Sequence, residues 1–322
     1  MRALVVVNPA ATTTTPGMRD VLVGALGGEL KLDVVETAHR GHARELGAEA
    51  AADGMDLVVS VGGDGTVNEV VNGLLENGPA PSLPMLAVIP GGSTNVFSRA
   101  LGRSRDPVEA TAQILASLRA GRTRLVSLGT ASATGVDPAG HPSEWTPPRW
   151  FVFAAGLGFD ADVSAGLEGL RARGRRSTGP LYVRQAVGTF LLGRDRRRPA
   201  MTLHVPGEEP REGLFLCLVS NVSPWTYLGA RPVVVSPEAS FDTGLDVFAM
   251  RRLGAVRMLN NLRQTLHRDP RPRGRAVLRW HDLEELSITA IRPQGWQVDG
   301  DHLGTATGLR LRHVPAALRV VA

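Results

Sequence analysis

The most constraining feature of this sequence is the regular alternation of short apolar runs with helix-like segments over its first third. Ala3–Val7 is a continuous run of β-branched and apolar residues, which is typical of a strand covered on both faces. Further strands are predicted at 30–36, 57–61 and 85–89, and helices at 17–26, 42–52, 66–75, 94–101 and 107–120. Strands and helices at this spacing imply right-handed crossovers and a mostly parallel sheet covered on both sides, which is a three-layer α/β domain.

The chain changes character after about Thr123, where strand-like runs separated by turn residues replace the alternation. The predicted strands are 124–128, 150–155, 201–205, 214–219, 232–235, 245–250, 276–280, 286–290, 295–298 and 309–313, with helices at 161–173, 181–192 and 254–267. This pattern indicates a second, β-rich domain, antiparallel and sandwich-like. The predicted domains are therefore residues 1–124 and 125–322.

Composition excludes several classes of protein. The longest clean apolar runs, 151–159 and 214–219, are far shorter than the ~20 residues of a membrane-spanning helix. The apolar run after Met1-Arg2 is also too short for the core of a signal peptide. Cys217 is the sole cysteine, which excludes an internal disulfide and a cysteine-based zinc site and fits a reducing cytoplasm.

Arginine carries almost all of the positive charge. Lysine and arginine number 36 together, and Lys31 is the sole lysine, which leaves 35 arginines and a net charge of +5. Walker-type nucleotide triphosphatases and protein kinases place a lysine on the nucleotide phosphates. Lys31 lies in an alternating strand-like run without a glycine loop, so the sequence fits neither class.

A glycine turn, Gly62-Gly63-Asp64-Gly65-Thr66-Val67-Asn68, follows the third predicted strand. Its glycines allow positive φ and a close approach of the backbone to a ligand, and its N–H groups with the helix N-terminus suit an anion such as phosphate. Asp64 adds a carboxylate that can hold Mg²⁺ or accept a proton. The dinucleotide fingerprint is excluded because Asn68 occupies the third glycine position. Taken alone, the block favours a plainer interpretation, in which Asp64 caps the following helix.

A second glycine turn, Pro90-Gly91-Gly92-Ser93-Thr94-Asn95, follows the next predicted strand. Because neighbouring parallel strands end at the same edge of a sheet, the two glycine turns can face one cleft. Ser93 or Thr94 would cap a helix under the plainer interpretation, but a cap requires neither the glycine pair nor Asn95.

An acidic turn, Val298-Asp299-Gly300-Asp301, closes an apolar strand late in the chain. Phosphoryl transfer needs positioning, charge neutralisation and a carboxylate that takes the hydroxyl proton. If the strand continues, Asp299 and Asp301 point to the same side, which favours a metal ion or a shared proton. The alternative is a hairpin turn of the Asp-Gly type.

Together these blocks resemble the diacylglycerol kinase catalytic-domain family, which includes soluble bacterial diacylglycerol kinases, related lipid kinases and sphingosine kinases. The landmarks fall in the family's order: Asn8-Pro9, Thr37 with Gly41-His42-Ala43, 62–74, 90–101 and 298–301. The sequence Gly-Gly-Asp-Gly-Thr alone is shared with NAD kinases and phosphofructokinases. Its combination with the other blocks makes the resemblance specific.

The resemblance implies an N-terminal ATP-binding domain, a C-terminal β-sandwich and a cleft where ATP meets a lipid alcohol. The residues it assigns to ATP are Asn8, Thr37, Gly62, Gly63, Asp64, Gly65, Thr66, Asn68, Gly92, Ser93 and Asn95. It makes Asp301 the general base, in a position where the family often has Glu, with Asp299 and Asp64 as further catalytic candidates.

The resemblance also bears on a structural Mg²⁺ that members often hold with an Asp-Asp-Gly-x-Leu-Asp sequence. Here the segment is Asp242-Thr243-Gly244-Leu245-Asp246, so the ion is either absent or held by Asp242 or Asp246. Asp64 is the remaining candidate metal ligand.

Arginines concentrate in two parts of the second domain. The first group is Arg171, Arg173, Arg175, Arg176, Arg184, Arg194, Arg196, Arg197 and Arg198 around the apolar segment 180–192; the second is Arg263, His267, Arg268, Arg271, Arg273 and Arg275. Basic segments with an apolar face suit adsorption to anionic lipid, where each charge contributes about 1 kcal/mol. The alternative is an ordinary solvated arginine face. Aromatic residues amount to 5% and no reader motif occurs, so nucleic acid is not an expected partner.

The sequence therefore predicts an ATP- and Mg²⁺-dependent lipid kinase that phosphorylates diacylglycerol or a related lipid. We expect it in the cytoplasm, peripheral at the inner face of the membrane, with a homodimer left open. Two alternatives remain: a kinase of a soluble metabolite such as NAD, and a nucleotide-binding sensor without catalysis, suggested by Thr243 and by Asp301 in place of Glu.

Overall fold

A computed structural model describes residues 1–12, 15–135, 143–158, 199–252 and 255–322, with side chains of the helix at 255–265 described from Leu259 onward. The predicted helices 161–173 and 181–192 and the first arginine group lie outside the described residues. The chain divides into two compact units: unit 1 is Met1–Leu128 with Pro315–Ala322, and unit 2 is Gly129–Val314.

Unit 1 contains a parallel sheet. Its strands are β1 (Arg2–Val7), β2 (Lys31–Glu36), β3 (Leu57–Gly62) and β4 (Met85–Pro90). β1 lies between β2 and β3, and β3 lies between β1 and β4, with every pairing parallel. The mostly parallel α/β domain that the alternation predicts is confirmed.

Among the described residues of unit 1, five helices pack against its sheet. They are α1 (Pro16–Gly27), α2 (His42–Ala52), α3 (Asp64–Leu74), α4 (Val96–Ala100) and α5 (Pro107–Arg119). α1 packs on α5, and α2 packs on α3. Alternate strand residues such as Val5 and Val59 pack with Leu22 and Ile114 in a single core cluster, because successive side chains of a strand point to opposite faces.

The last eight residues complete unit 1. Val320 pairs in parallel with Leu86 of β4, and Val321 packs in the same core as Val5. The predicted domain boundary at residue 124 assigns this segment to the second domain, because a short apolar run does not indicate which sheet it joins.

Unit 2 is β-rich and mostly antiparallel, as predicted. Its elements are β5 (Thr123–Thr134, entering from unit 1), β6 (Arg149–Phe151), β7 (Ala154–Gly158), β8 (Met201–His204), β9 (Arg211–Leu214), β10 (Leu216–Ser220), β11 (Thr226–Leu228), β12 (Arg231–Val233), β13 (Leu245–Met250), α6 (Ala255–Thr265), β14 (Val277–Leu283), β15 (Glu285–Val298) and β16 (Asp301–Val321, ending in unit 1). The strand order is β14-β13-β10-β7-β15-β16, with β8 paired to β15 and β9 to β8.

One strand of unit 2 differs from the sequence prediction. The runs 286–290 and 295–298, expected as two strands, form the single strand β15, whose register with β16 shifts between Thr289 and Gln294.

Cys217 lies in the core, and burial raises the pKa of its thiol to about 12, so that it stays protonated at neutral pH. Among the described residues, no helix combines the length and apolarity needed to cross a membrane.

Candidate functional site

The loops after β1, β2, β3 and β4 leave the carboxyl ends of the parallel strands, where α/β sheets bind ligands. Backbone hydrogen bonds hold the loops after β1 and β4 beside the end of β3: Asn8 N–H donates to the Val61 carbonyl, and Gly91 N–H donates to the Gly62 carbonyl at 2.7 Å. The two glycine turns, which the sequence predicts at the same edge of the sheet, are therefore adjacent.

The glycine turns touch through their backbones. A Cβ on Gly92 would lie 2.8 Å from the Cα of Gly63, and a Cβ on Gly62 would lie 2.6 Å from Oγ1 of Thr66. Gly63 itself has φ −89°, so its conformation is open to any residue. Gly62 and Gly92 are therefore required for close packing, and the positive φ that glycine allows is not used at Gly63.

Asn95 braces the second turn. Its Oδ1 accepts from Gly92 N–H at 2.8 Å, and its Nδ2 donates to the Gly92 carbonyl at 2.7 Å. Asn95 takes a left-handed φ of 48°, a conformation that asparagine tolerates better than most residues. The residue assigned to ATP thus also fixes the peptide of Gly92.

Asp64 joins the two blocks. Its Oδ2 accepts from the Thr94 hydroxyl at 2.9 Å, and its Oδ1 accepts from Phe97 N–H at 3.2 Å in the first turn of α4. The plainer interpretation expected Asp64 to cap its own helix. The structure shows its carboxylate hydrogen-bonded to Thr94 and to the first turn of α4.

The other loops are tied in by side chains. Asn8 Nδ2 donates to Thr66 Oγ1 at 2.9 Å, and Gly41 N–H donates to Glu69 Oε1 of α3 at 3.0 Å. Asn68 is 1% exposed and accepts from the Nδ2 of Asn72, so its side chain faces the protein interior. Of the remaining residues assigned to ATP, Ser93 is exposed, whereas Thr37 and Gly65 are half-buried.

The N-terminus of α3 offers N–H groups to an anion. Its N-cap, Gly63, forms no side-chain cap hydrogen bond within the described part of the chain, whereas the caps of α1 and α5 (Thr15 and Asp106) accept bonds from their first turns. Lys31 pairs with Arg2 at the opposite end of β1. The backbone N–H groups at the N-terminus of α3 are therefore candidate donors to a phosphate.

The late acidic segment is a tight hairpin. Val298 of β15 pairs with Asp301 of β16, and the two residues between them, Asp299 and Gly300, have φ of 49° and 81°. Two positive φ values define the mirror-image turn that suits antiparallel strands. Of the two possibilities that the sequence leaves open, the hairpin turn of the Asp-Gly type is confirmed, and the strand does not continue through Asp299.

The two aspartates of this hairpin differ in environment. Asp299 is 5% exposed, and its carboxylate accepts from the N–H groups of Val152, Phe153 and Ala154 at 2.8, 2.9 and 3.0 Å. Asp301 is half-buried at the first position of β16. Asp299 therefore fastens the hairpin to the 152–154 segment, which leaves Asp301 as the better candidate for proton transfer.

The predicted metal ligands of unit 2 separate. Asp242 is exposed, and the hydroxyl of Thr243 closes its own turn by donating to the Ser240 carbonyl at 3.2 Å. Asp246 is buried on β13 and accepts from His281 Nδ1 at 2.7 Å. Among the described residues, the donor atoms that gather within 4.8 Å belong to Glu238, Asp246 and His281. Sequence analysis missed Glu238 and His281, because no short motif joins them.

The fold is an α/β unit in which two adjacent glycine turns leave one edge of a parallel sheet, linked to a β-rich unit. Residues 2–131 match the family model described as the diacylglycerol kinase catalytic domain, which confirms the resemblance that the motifs predict.

Known proteins agree with this match. The diacylglycerol kinase of Bacillus subtilis (strain 168) is 49% identical over 72 residues, which are 22% of this chain and 23% of that protein. The matched part thus spans about a quarter of the curated relatives' length. A diacylglycerol kinase crystal structure from Bacillus anthracis str. Sterne has a TM-score of 0.69 at 20% identity, covering 99% of this chain and 96% of that one. An NAD kinase from Archaeoglobus fulgidus, solved in complex with ATP, has a TM-score of 0.54 at 14% identity, covering 100% and 94%.

Proposed function

We propose that this protein is a lipid kinase that transfers the γ-phosphate of ATP to the hydroxyl of diacylglycerol or a related lipid. The observation that carries the proposal is the contact between the two glycine turns beside the uncapped N-terminus of α3, within the part of the chain that matches the kinase catalytic domain. Phosphoryl transfer depends mainly on positioning and charge stabilisation, and the backbone N–H groups and the Asp64 carboxylate at this edge of the sheet support the proposal.

The nucleotide phosphates are proposed to lie on the backbone N–H groups of the α3 N-terminus, with Asn95 holding the Gly92 peptide in place. Mg²⁺, when bound, supplies charge neutralisation on the phosphates, and Asp64 is the carboxylate of this edge that fits it. The Asp242–Asp246 turn does not fit a structural Mg²⁺ of the family's kind, because Thr243 stands in place of the second aspartate and its hydroxyl closes the turn.

Asp301 is the proposed general base that takes the proton from the lipid hydroxyl. Its partner in the hairpin, Asp299, is occupied by three backbone donors and acts as a positioning residue. The turn that Asp299 fastens sets where the β16 strand starts, and hence where the Asp301 carboxylate lies.

The direct test is an assay with ATP, Mg²⁺ and mixed micelles of diacylglycerol, a sphingoid base or ceramide, with NAD as a soluble acceptor. We expect a phosphorylated lipid from at least one lipid arm and none from NAD. A product only from NAD would make the chain a soluble-metabolite kinase, which its fold likeness to an NAD kinase allows. Tight ATP binding without any phosphorylated product would favour the alternative of a nucleotide-binding sensor without catalysis.

The general base is tested by Asp301→Asn against Asp242→Asn, an exposed aspartate of unit 2. General base removal typically lowers turnover by about 10²–10⁴-fold, and we expect a loss of this order for Asp301→Asn with ATP affinity retained. Unchanged kcat in Asp301→Asn would move the proton acceptor to another carboxylate.

We further propose that unit 2 meets an anionic membrane through α6 and the arginines after it. Leu259 and Leu262, three residues apart on one helix face, are 70% and 40% exposed. The exposed arginines that follow are Arg263, Arg268, Arg271, Arg273 and Arg275. Exposed leucines beside cationic side chains fit the boundary between acyl chains and anionic headgroups.

Vesicle binding tests this surface. Wild-type protein should sediment with phosphatidylglycerol–phosphatidylcholine vesicles and much less with pure phosphatidylcholine. Leu259→Ser with Leu262→Ser should weaken sedimentation, whereas Ile291→Ser, at a side chain of β15 that is 81% exposed, should not. Equal binding by the double variant and the wild type would place the membrane contact elsewhere.

A further inference from the structure

Three side chains of unit 2 converge from separate elements at the edge of its sheet. Asp246 belongs to β13 and His281 to the edge strand β14, while Glu238 lies in the loop between β12 and β13. One donor atom from each lies within 4.8 Å of the other two. The residues are 8 to 43 positions apart along the chain, so the fold alone brings them together.

Asp246 is the unusual member of this group. It is 1% exposed, and its Oδ1 accepts from His281 Nδ1 at 2.7 Å and from Asp282 N–H at 3.2 Å. Its Oδ2 is buried and has no hydrogen-bond partner among the described residues. A buried carboxylate oxygen without a donor is costly, and such atoms call for an unseen ion or water. Burial also raises the pKa of the Asp246 carboxyl, an effect that the hydrogen bond from His281 opposes.

The other two members are placed to move toward a ligand. The side chains of Glu238 and His281 are 56% and 43% exposed, so both can rotate without disturbing the core. Oε2 of Glu238 accepts from Arg279 Nη2 at 2.6 Å, which leaves its second oxygen for another contact. Donors around a tetrahedral Zn²⁺ with bonds of about 2.0–2.1 Å lie roughly 3.3 Å apart, a spacing reached by modest rotation of these two side chains.

We propose that Glu238, Asp246 and His281 bind one divalent transition-metal cation of the Zn²⁺ type. Two carboxylates match its charge, and the imidazole nitrogen selects it over Mg²⁺ and Ca²⁺, which prefer all-oxygen ligands. The ion fills the space beside Oδ2 of Asp246 and joins β13, β14 and the Glu238 loop. The site is structural and independent of phosphoryl transfer, and its donors differ from those expected for a Mg²⁺ in the Asp242–Asp246 turn.

Zinc titration of the chelator-treated, tag-free full chain tests the proposal. Calorimetry should show one saturable Zn²⁺ per chain at this site, and the thermal midpoint should rise with Zn²⁺ concentration, because an ion that binds only the native state stabilises it. His281→Ala and Glu238→Gln should each weaken binding at least tenfold and lose the thermal shift. An excess of Mg²⁺ should leave Zn²⁺ binding unchanged.

A surface histidine pair provides the control. The rings of His39 and His42 stack at 4.9 Å in unit 1 and are an alternative source of adventitious zinc binding. His39→Ala should therefore keep the full thermal shift. The proposal fails if the wild type shows no thermal shift, if His281→Ala retains wild-type affinity, or if His39→Ala abolishes the binding. Since none of these measurements involves ATP or lipid, they stand whatever the kinase assays show.

Discussion

Asp299 and Asp301 have the same side chain two positions apart, yet the structure predicts opposite consequences for the same substitution. In Asp299→Asn the new amide nitrogen is a donor set against the N–H donors of Val152, Phe153 and Ala154. Loss of buried hydrogen bonds of this kind costs about 1–3 kcal/mol, so the urea midpoint should fall clearly. Asp301→Asn, at a half-buried side chain at the start of β16, should cost less than Asp299→Asn. Similar stabilities for the two variants would contradict the distinction drawn between them.

Gly92 allows a second test at single residues. An added Cβ at Gly92 would lie 2.8 Å from the Gly63 Cα, whereas one at Gly63 would lie 3.4 Å from the Gly92 Cα, an ordinary contact. Gly92→Ala must therefore separate the two turns, at a typical overpacking cost of about 1–3 kcal/mol. We expect its affinity for a nonhydrolysable ATP analogue to fall at least tenfold by calorimetry, with a smaller change for Gly63→Ala. The reverse order would mean that the contact does not shape the nucleotide site.

The candidate site was predictable in its residue types more than in its bonds. Sequence located Asp64 and Asn95 correctly beside the glycine turns, because such turns follow apolar strands. It did not reveal that Asp64 bonds to Thr94 and Phe97, or that Asn95 braces Gly92. Those partners depend on distances across the turns, which no local pattern contains. Glu238 and His281 could not be predicted as site residues from the sequence for the same reason.

At the scale of elements, the pairing of α2 with α3 depends on two glycines. A Cβ on Gly73 would lie 2.0 Å from the Arg44 carbonyl oxygen, and one on Gly47 would lie 2.6 Å from the Val70 carbonyl oxygen. The two helices therefore pack backbone against backbone. This contact supports α3, whose first turn belongs to the candidate nucleotide site.

Gly73→Ala and Gly24→Ala form a matched pair that tests this packing. Both replace a helical glycine by the best helix former, which alone stabilises a helix by about 1 kcal/mol. No described atom lies within 4 Å of a Cβ on Gly24, so Gly24→Ala should raise the free energy of unfolding. Gly73→Ala should lower it by about 1–3 kcal/mol because the helices are forced apart. An increase in both variants, measured by urea unfolding, would show that α2 and α3 adjust freely.

Element positions in unit 1 followed from the sequence because local and tertiary signals agree there. The predicted range 42–52 of α2 matches the observed helix, and β3 and β4 each differ by one residue at the end. Unit 2 was harder. Strands as short as β9 and β11 show too few residues for a period to emerge, and the joining of two runs into β15 depends on its partners β16 and β7.

For the whole molecule, the association of the last eight residues with unit 1 means that the chain enters unit 2 at β5 and returns through β16. Arg103 Nη2 donates to the Val321 carbonyl at 2.7 Å, and Ala322 N–H donates to the Arg122 carbonyl at 3.2 Å. Unit 1 is therefore completed only by residues that follow unit 2 in the chain. This discontinuous arrangement arises from long-range pairing. A domain boundary placed at residue 124 from the local strand and helix pattern therefore did not assign the last eight residues to unit 1.

The free energy of unfolding of the whole molecule depends on pH, and His313 is one of the groups that contribute to this dependence. Burial lowers the pKa of His313, although Asp282 and Glu284 oppose the shift, and its Nε2 has no hydrogen-bond partner within the described ranges. A histidine whose pKa is lower in the folded state takes up its proton more readily when unfolded. Its contribution therefore destabilises the fold as pH falls below its unfolded pKa of about 6.5, and it levels off below the folded pKa.

His313→Gln isolates this contribution, because glutamine keeps polar capacity but does not titrate. Unfolding free energies from urea titrations at about pH 8 and about pH 5.5, on either side of the ordinary histidine pKa, should fall more in the wild type than in the variant. Other titrating groups act equally in both proteins, so the difference between the two slopes belongs to His313. Parallel slopes for His313→Gln and the wild type would mean that the His313 ring gains its proton as easily in the folded protein as in the unfolded chain.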